Sequence, residues 1–594
     1  MKKYISIAIM SMSLIGLASC DMDTPSQSSL DSQTIYSNEG LAEQAVMSIH
    51  KSFGETNSYR GRFLPYYGLN TDVEVINKPD LSKTPDADKL DLCAYNATPT
   101  NKQMNTTNNA YAMFYEGIER ANLAIKGLRQ YGNVSSNENM AHLLGEALTL
   151  RAVVYLDLIK GWGDVPGRFE PVTAETNYVP RMDRDSIYMQ LLADLKEAED
   201  LVAWPTKSSY TQSTERVNKA FTKALRARIA LYAAGYSYRA DGTVRKSNIL
   251  DEKALLTIAR DECVDVINSG YNKLGTFEQN FRLLCQDDVT AGKESIWEIP
   301  FADGRGRVLY TFGVEHLQAD QYTAQNRGGV NGPMPTLFYD FDVDDVRRDI
   351  TCVPYEWSKA SNAVQQLRTV DEWCFGKLRY EWMNRRVTST NDDGINWQYM
   401  RLADVYLMAA EAENELGNTS AAWTYMKPIL DRALPAAKVS ALQAKYTASK
   451  DAFFQGIVEQ RGFEFAGEML RKADLIRWNI IDEKLAESQT KLKQLRNREG
   501  NYADLPVYLY TKLNGENLTI YGLNHGDTDE AGNALVANSG YDRSSSKWLD
   551  EEKIKDNYIN GLYINTPSTH AYWPIWQTFI STSNGYLNNS WLGF

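Results

Sequence analysis

Leu143-Leu144-Gly145-Glu146-Ala147-Leu148-Thr149-Leu150-Arg151-Ala152-Val153-Val154-Tyr155-Leu156-Asp157-Leu158-Ile159 decides the fold class. Leu143, Ala147, Leu150, Val154 and Leu158 recur at steps of three and four, which places them on one stripe of an α-helix. Gly161-Trp162-Gly163-Asp164-Val165-Pro166 ends the helix, because glycine and proline punctuate helical runs. Working outward, Ser186–Val202 carries Ile187, Leu191, Leu195 and Ala198 on one face and is followed by Pro205. Lys219–Tyr236 is rich in alanine, whose small side chain lets neighbouring helices approach closely, and Asp251–Asn268 runs up to Gly270. The helical period returns at Met400, with Leu402, Val405, Ala409, Ala412 and Leu416 on one stripe. Ser420–Leu434 follows, where Pro428 is expected to kink the helix, and then Asp451–Ile480.

Paired helices at intervals of roughly 34–40 residues are the mark of helical-repeat arrays such as tetratricopeptide units. Each pair stacks because a helix alone cannot cover its own apolar stripe. The chain is therefore expected to be mainly α. Tetratricopeptide-like stacked helix pairs would form a scaffold over residues 34–276 and 400–484. An irregular, loop-rich lobe containing short strands would occupy 277–399 and 485–594. Gly, Asn, Asp and aromatics dominate those stretches, and Ser295-Ile296-Trp297-Glu298-Ile299 reads as a strand.

Composition narrows the function. With 76 acidic against 63 basic residues and a net charge of −13, the chain lacks the concentrated basic surface that nucleic acid requires. The 35 Tyr, 13 Trp and 18 Phe include many rings with an apolar face and a polar handle, which suit the C–H faces and hydroxyl rims of sugars. Most of them nonetheless belong to helix packing. The six cysteines are scattered without a Cys-x-x-Cys pair, so they make neither a disulfide framework nor a zinc site; a Cys352–Cys374 bridge is left open.

At the amino end, Lys2 and Lys3 precede an apolar run from Ile5 to Ala18. This run is shorter than the ~20 residues that span a bilayer and reads as a secretory signal over residues 1–19. Leu17-Ala18-Ser19-Cys20 resembles a bacterial lipobox, which implies that Cys20 is the lipid attachment site and anchors the chain to a membrane. Residues 20–33, polar with Pro25 and several serines, read as a flexible tether.

Further blocks carry a family resemblance. The run from Gly145 to Asp157 leading to Gly163-Asp164-Val165-Pro166 is joined by Val179-Pro180-Arg181 with Asp194-Leu195-Lys196-Glu197-Ala198, and by Ala224-Leu225-Arg226-Ala227-Arg228. Arg401-Leu402-Ala403-Asp404-Val405-Tyr406-Leu407 with Glu411-Ala412 follows, then Glu464-Phe465-Ala466-Gly467-Glu468 with Arg471, Asp474 and Arg477-Trp478. Trp573-Pro574-Ile575 and Asn584-Gly585-Tyr586-Leu587 complete the set. In this order they resemble the SusD/RagB family of Bacteroidetes outer-membrane lipoproteins. Gln460, Met469 and Pro428 depart from the family pattern. The resemblance implies a lipid-anchored glycan-binding protein of the outer-membrane cell surface that delivers oligosaccharide to a SusC-like TonB-dependent transporter. A lipid-anchored glycoside hydrolase and a peptide-binding uptake protein of the same family are the alternatives.

No catalytic residue or cofactor emerges. Glu464, Glu468 and Arg471 stand at helical i,i+3 and i,i+4 spacings and read as helix-to-helix salt bridging, since glycosidic carboxylates stand about 5–9.5 Å apart across a sugar. The five histidines are far apart in sequence, and no His-Glu-x-x-His, Gly-x-Ser-x-Gly or phosphate-binding loop is present. A structural calcium ion at Asp342, Asp344 and Asp345 is the alternative to a solvated acidic turn; no other metal is expected. The ligand-binding candidates are loop residues: Asp72, Tyr95, Asn96, Tyr310, Tyr322 and Trp357.

Overall fold

The computed structural model describes residues 30–77, 87–104, 109–302, 305–388 and 393–594. The signal segment and Cys20 lie outside these residues. The end of the expected tether does not: Ser32–Ser37 form a helix, α1, whose first turn is capped by the Asp31 carboxylate accepting from the Thr34 N–H. Tyr36 holds α1 in place by packing against Gly127, where a Cβ would come within 1.9 Å of its ring. The part of the expected 20–33 segment that is described is thus partly helical, because one buried aromatic fixes this turn.

The scaffold then runs through α2 (Glu39–Met47), α3 (Ala110–Tyr131), α4 (Glu138–Trp162), α5 (Arg184–Leu201), α6 (Lys219–Ala234) and α7 (Glu252–Ser269). It resumes at α8 (Leu402–Glu415), α9 (Thr419–Asp431), α10 (Ala436–Tyr446), α11 (Lys450–Phe465), α12 (Arg471–Arg477) and α13 (Ile481–Asn497). From α3 to α9 each helix packs on the next, and α7 meets α8 directly although more than a hundred residues separate them in sequence. Side-chain caps start these helices: Asn109, Asn137, Asn218 and Asp251 accept N–H groups of the first turns of α3, α4, α6 and α7, satisfying donors with no intrahelical partner. Gly270, at φ +64°, ends α7 in the left-handed conformation that glycine adopts without steric penalty. No helix among the described residues is long and apolar enough to cross a membrane.

Helix α4 goes beyond its single expected stripe. Every residue from Met140 to Ile159 is buried, as befits a helix with neighbours on all sides. Its polar residues are matched inside the core: Glu146 with Arg216 at 2.7 Å, Arg151 with Asp194 at 2.6 Å and Asp157 with Lys160 at 2.8 Å.

The excursion between α7 and α8 leaves and returns through a neck. Strand Ser295–Ile299 pairs antiparallel with Trp397–Arg401, and the Leu402 N–H donates to the Glu294 carbonyl at 2.9 Å. Trp297 at the neck stacks on Phe221 of α6, centroids 4.5 Å apart and planes 18° apart.

Where the sequence suggested one helix from Asp451 to Ile480, the chain breaks between α11 and α12, with Gly467 at φ +85° and Met469 at φ +62°. The break aims the two glutamates at cations of other elements, in line with the salt bridging between elements read from the sequence. Glu464 accepts from Arg401 at 2.6 Å and Arg347 at 3.1 Å. Glu468 accepts from Lys377 at 2.6 Å and Arg401 at 2.7 Å. Arg471 turns to Asp72. Helix α9 continues through Pro428 to Asp431 and stops short of Leu434. Helix α13 crosses the boundary expected at 484, because Ile481, Leu485, Ser488, Leu492 and Leu495 form a buried stripe. The cysteines at 93, 263, 285, 352 and 374 are buried free thiols; Cys352 and Cys374 sit on paired strands without a bond.

A buried chain of charges joins the two halves of the scaffold. Arg228 on α6 meets Asp404 on α8 at 2.6 Å, Asp404 meets Arg461 on α11 at 2.6 Å, and Arg461 meets Asp474 on α12 at 2.7 Å. Asp474 then meets Arg477 at 2.8 Å, and Arg477 pairs with Glu411 back on α8. Burial pushes the Asp404 carboxyl up, but Arg461 and Arg228 outweigh it and bring its pKa down to about 2.

Replacing Asp404 by Asn leaves the buried Arg228 without a carboxylate and Arg461 with Asp474 alone, and is expected to destabilise the fold by about 3–5 kcal/mol, read as a lower midpoint in urea unfolding. Asp404 also sets an acid dependence. Its contribution is complete above the unfolded pKa near 3.8 and is lost as pH falls toward about 2, because the unfolded state then binds the proton first. The Asn variant is expected to lose that part of the acid sensitivity in the same titration.

Glu74 behaves oppositely. Burial raises its carboxyl to about 8, even though Oε2 accepts from the Gly467 N–H, so the folded state penalises its ionisation from about pH 4.5 upward. Glu74→Gln is therefore expected to raise the thermal midpoint at pH 8 and to leave it nearly unchanged at pH 4.

Candidate functional site

The six expected ligand residues do not converge. Asp72 gives both carboxylate oxygens to Arg471, at 2.8 and 2.6 Å. Tyr95 is buried, donates its hydroxyl to the Asn70 carbonyl at 2.9 Å and has the Lys472 ammonium 4.3 Å from its ring centre. Asn96 donates to Asp91 and accepts from Asn565. Tyr322 and Trp357 do meet, rings 5.0 Å apart, but Trp357 is only 1 % exposed and lies stacked on His316, while the Tyr322 hydroxyl donates to Glu516 at 2.7 Å. Tyr310 is half-buried beneath the Arg307 guanidinium, 4.3 Å from its ring centre. Tyr95 and Trp357 thus present no ring face in this structure, and Asp72 is an ion-pair partner. Aromatic and acidic loop residues look alike in sequence whether they close a core or face solvent.

The acidic turn is likewise occupied by protein cations. Asp342 pairs with Lys438 at 2.8 Å and Asp345 with Arg347 at 2.7 Å. Among the described residues no group of three metal-ligating side chains comes together.

Rings do line a groove of about 340 Å³ elsewhere. Its floor is the first half of α3, with Tyr111, Tyr115 and Glu119; one wall is the segment 166–179 and the other is the carboxy-terminal segment 579–587. Tyr111 stacks with Phe579, centroids 5.6 Å apart and planes 29° apart. Tyr178 and Tyr586 form a second pair with nearly parallel planes, at 6.3 Å and 17°. These two are 45 % and 47 % exposed, so their faces are open to a ligand. Thr582, Ser583 and Asn177 supply hydroxyl and amide groups along the rim. Burial raises the Tyr111 phenol to about 12, so at neutral pH it stays a neutral donor.

The scaffold holds both walls. Arg151 of α4, anchored on Asp194, donates to the Phe169 carbonyl at 3.0 Å. The Tyr155 hydroxyl donates to the Arg168 carbonyl at 2.8 Å, and Tyr115 donates to the Pro166 carbonyl at 2.9 Å. Arg168 closes the wall on itself through the Thr176 and Asn177 carbonyls, at 2.6 and 2.7 Å. Opposite, Asn589 clasps Ile575 in both directions, at 2.9 and 2.7 Å, and Trp573 donates its backbone N–H to the Gly161 carbonyl at 2.7 Å. Among the described residues Glu119 is the one carboxylate lining the groove, and both its oxygens accept from the Val172 N–H. The sequence reading did not select these residues as a site, although Val179, Tyr586 and Leu587 fall within the blocks quoted above.

The chain resembles known proteins over most of its length. A family model described as the SusD family matches residues 293–591, and one described as "Starch-binding associating with outer membrane" matches residues 26–231. SusD-like protein P25 of Formosa agariphila is 24 % identical over 484 residues, 76 % of this chain and 84 % of its own length. SusD-like protein P38 of the same organism is 26 % identical over 500 residues, 81 % and 92 % of the two chains. Among solved structures, a SusD homolog from Bacteroides thetaiotaomicron superposes with a TM-score of 0.69 at 17 % identity, covering 94 % of this chain and 98 % of that one. Surface glycan-binding protein A from the same organism, in complex with laminarihexaose, gives a TM-score of 0.62 at 18 % identity, with 93 % and 99 % covered. These structures share the stacked-helix fold.

Proposed function

Because the chain belongs to the SusD family, we propose that it is a cell-surface lipoprotein, anchored through Cys20, that captures oligosaccharide and delivers it to a SusC-like TonB-dependent transporter of the outer membrane. The observation that carries the binding step is the open groove with two stacked ring pairs and one carboxylate. Exposed tyrosine faces stack on the C–H faces of pyranose rings, while the hydroxyl and amide rim meets the sugar hydroxyls. Hydrolysis of a glycosidic bond ordinarily uses two carboxyl groups flanking it. Among the described residues the groove offers only Glu119, and Glu464 and Glu468 are buried among arginines. The geometry therefore favours retention over cleavage. The complex of surface glycan-binding protein A with laminarihexaose and the outer-membrane description of the amino-terminal family model support the ligand class and the location.

Tyr178→Ala and Tyr586→Ala are each expected to weaken oligosaccharide binding by about 1 kcal/mol, roughly five-fold in Kd, in titration calorimetry with the mature protein. New reducing ends in the same mixture would contradict a binding role. Unchanged affinity in the double variant would move the site away from this groove. Delivery is tested by co-purification of the lipidated protein with a transporter from detergent-solubilised outer membranes.

A further inference from the structure

Tyr111, Tyr115 and Glu119 stand on successive turns of α3, about 6 Å apart along its axis, and all three line the groove. Residues four apart share one helix face, so the carboxylate continues the line of the two rings, whose centroids lie 5.0 Å apart. Glu119 is half-buried. The Val172 N–H meets its two oxygens almost evenly, at 3.1 and 3.2 Å, and so orients the carboxylate from the wall. An ionised carboxyl has about four acceptor sites, and one shared N–H leaves most of them open.

Most other polar groups of the groove give their hydrogens to the chain itself. Tyr115 donates to the Pro166 carbonyl at 2.9 Å, Thr582 to the Thr578 carbonyl at 2.9 Å and Ser583 to the Ile580 carbonyl at 2.8 Å. Arg168 sends its two terminal nitrogens to the Thr176 and Asn177 carbonyls. Arg120, the residue beside Glu119, is held by Glu116 at 2.7 Å. Tyr111 and Asn177 keep neutral donors. The groove thus offers its ligand mainly acceptors: the Glu119 carboxylate and the lone pairs of Thr582 and Ser583. Such a lining takes O–H donors, and an ionised acceptor makes the strongest of those bonds. An anionic substituent brought to Glu119 would set like charge against like charge.

We propose that Glu119 is the specificity-determining residue of the groove: its two oxygens accept from a pair of adjacent hydroxyls on a neutral sugar unit. The oxygens of a carboxylate stand side by side, as do hydroxyls on neighbouring ring carbons. Interior units of a 1,4-linked pyranose chain keep such a pair at positions 2 and 3. Those of a 1,3-linked chain do not, because the linkage consumes position 3. A 1,4-linked uronate chain has the pair but carries an anion on every unit. The proposal rests on the glycan-binding reading and narrows its substrate class to neutral glycans that leave the pair free.

The test is titration calorimetry of the mature protein with cellohexaose, 1,4-linked mannohexaose, laminarihexaose and an oligogalacturonate. The expected result is tightest binding of cellohexaose or mannohexaose, the first pointing to a trans and the second to a cis pair. Glu119→Gln, which keeps an acceptor for the Val172 N–H, is expected to weaken that ligand about ten-fold. It is expected to leave laminarihexaose nearly unchanged and to improve the oligogalacturonate. Glu119→Asp, which keeps the charge but draws it back, is expected to fall between. A wall-holding role would not reorder the ligands, since a displaced wall weakens all of them alike. Tightest binding of laminarihexaose or the oligogalacturonate by the unsubstituted protein overturns the proposal and leaves the glycan reading standing. An equal loss of every ligand in Glu119→Gln, or a 1,4-linked affinity indifferent to it, does the same. Silence toward all four counts against the glycan reading itself and takes this proposal with it.

Discussion

The structure depends on the buried alternation of charge that runs Arg228–Asp404–Arg461–Asp474–Arg477–Glu411. Each member would be strongly unfavourable in the core if left alone, and each becomes tolerable only when its neighbours arrive. The chain of pairs links α6 to α8, α11 and α12. It therefore specifies how a helical stack interrupted at Ser269 resumes at Leu402. Apolar packing alone would accept several registers of α8 against α7; two arginines that must both reach one aspartate accept far fewer. Glu464 and Glu468, gathered with Arg347, Arg401 and Lys377, repeat the principle at the edge of the inserted lobe.

The irregular segments hang on this scaffold, and the inserted lobe returns Arg347 and Lys377 to it as partners of Glu464 and Glu468. The inserted lobe passes through one strand pair, and Trp297 seals that neck against α6. The groove walls are loops, yet they hang from residues of α4: Arg151 and Tyr155 hold carbonyls of the 166–179 segment. Binding surfaces on loops gain precision when rigid elements fix their backbone, and here the same helix that fills the core also shapes the wall.

The scaffold was legible in the sequence because helical periodicity and glycine–proline stops are local signals. Leu143, Ala147, Leu150, Val154 and Leu158 mark α4, and the strand at Ser295–Ile299 stands out by its apolar β-branched run. The break after Phe465 was not legible, since it is imposed by cations from Arg347, Lys377 and Arg401, far away in sequence. The role of Glu464 and Glu468 as ion-pair partners was legible, but their partners were not. The candidate site was scarcely legible at all. Tyr95 and Trp357 turned inward, whereas Tyr178 and Tyr586, separated by four hundred residues, meet as a ring pair only after α3 and the carboxy-terminal segment are brought side by side. Nothing local distinguishes a tyrosine that packs from one that waits for a ligand.

Helix α3 carries two features that have been described separately. Tyr36, in the first helix of the described chain, seats on Gly127, and Tyr115 floors the groove. At about 1.5 Å per residue these positions lie roughly 18 Å apart along one rod. A displacement of the first helix at Tyr36 is thereby carried along the same rod that floors the groove, with no hinge between the two.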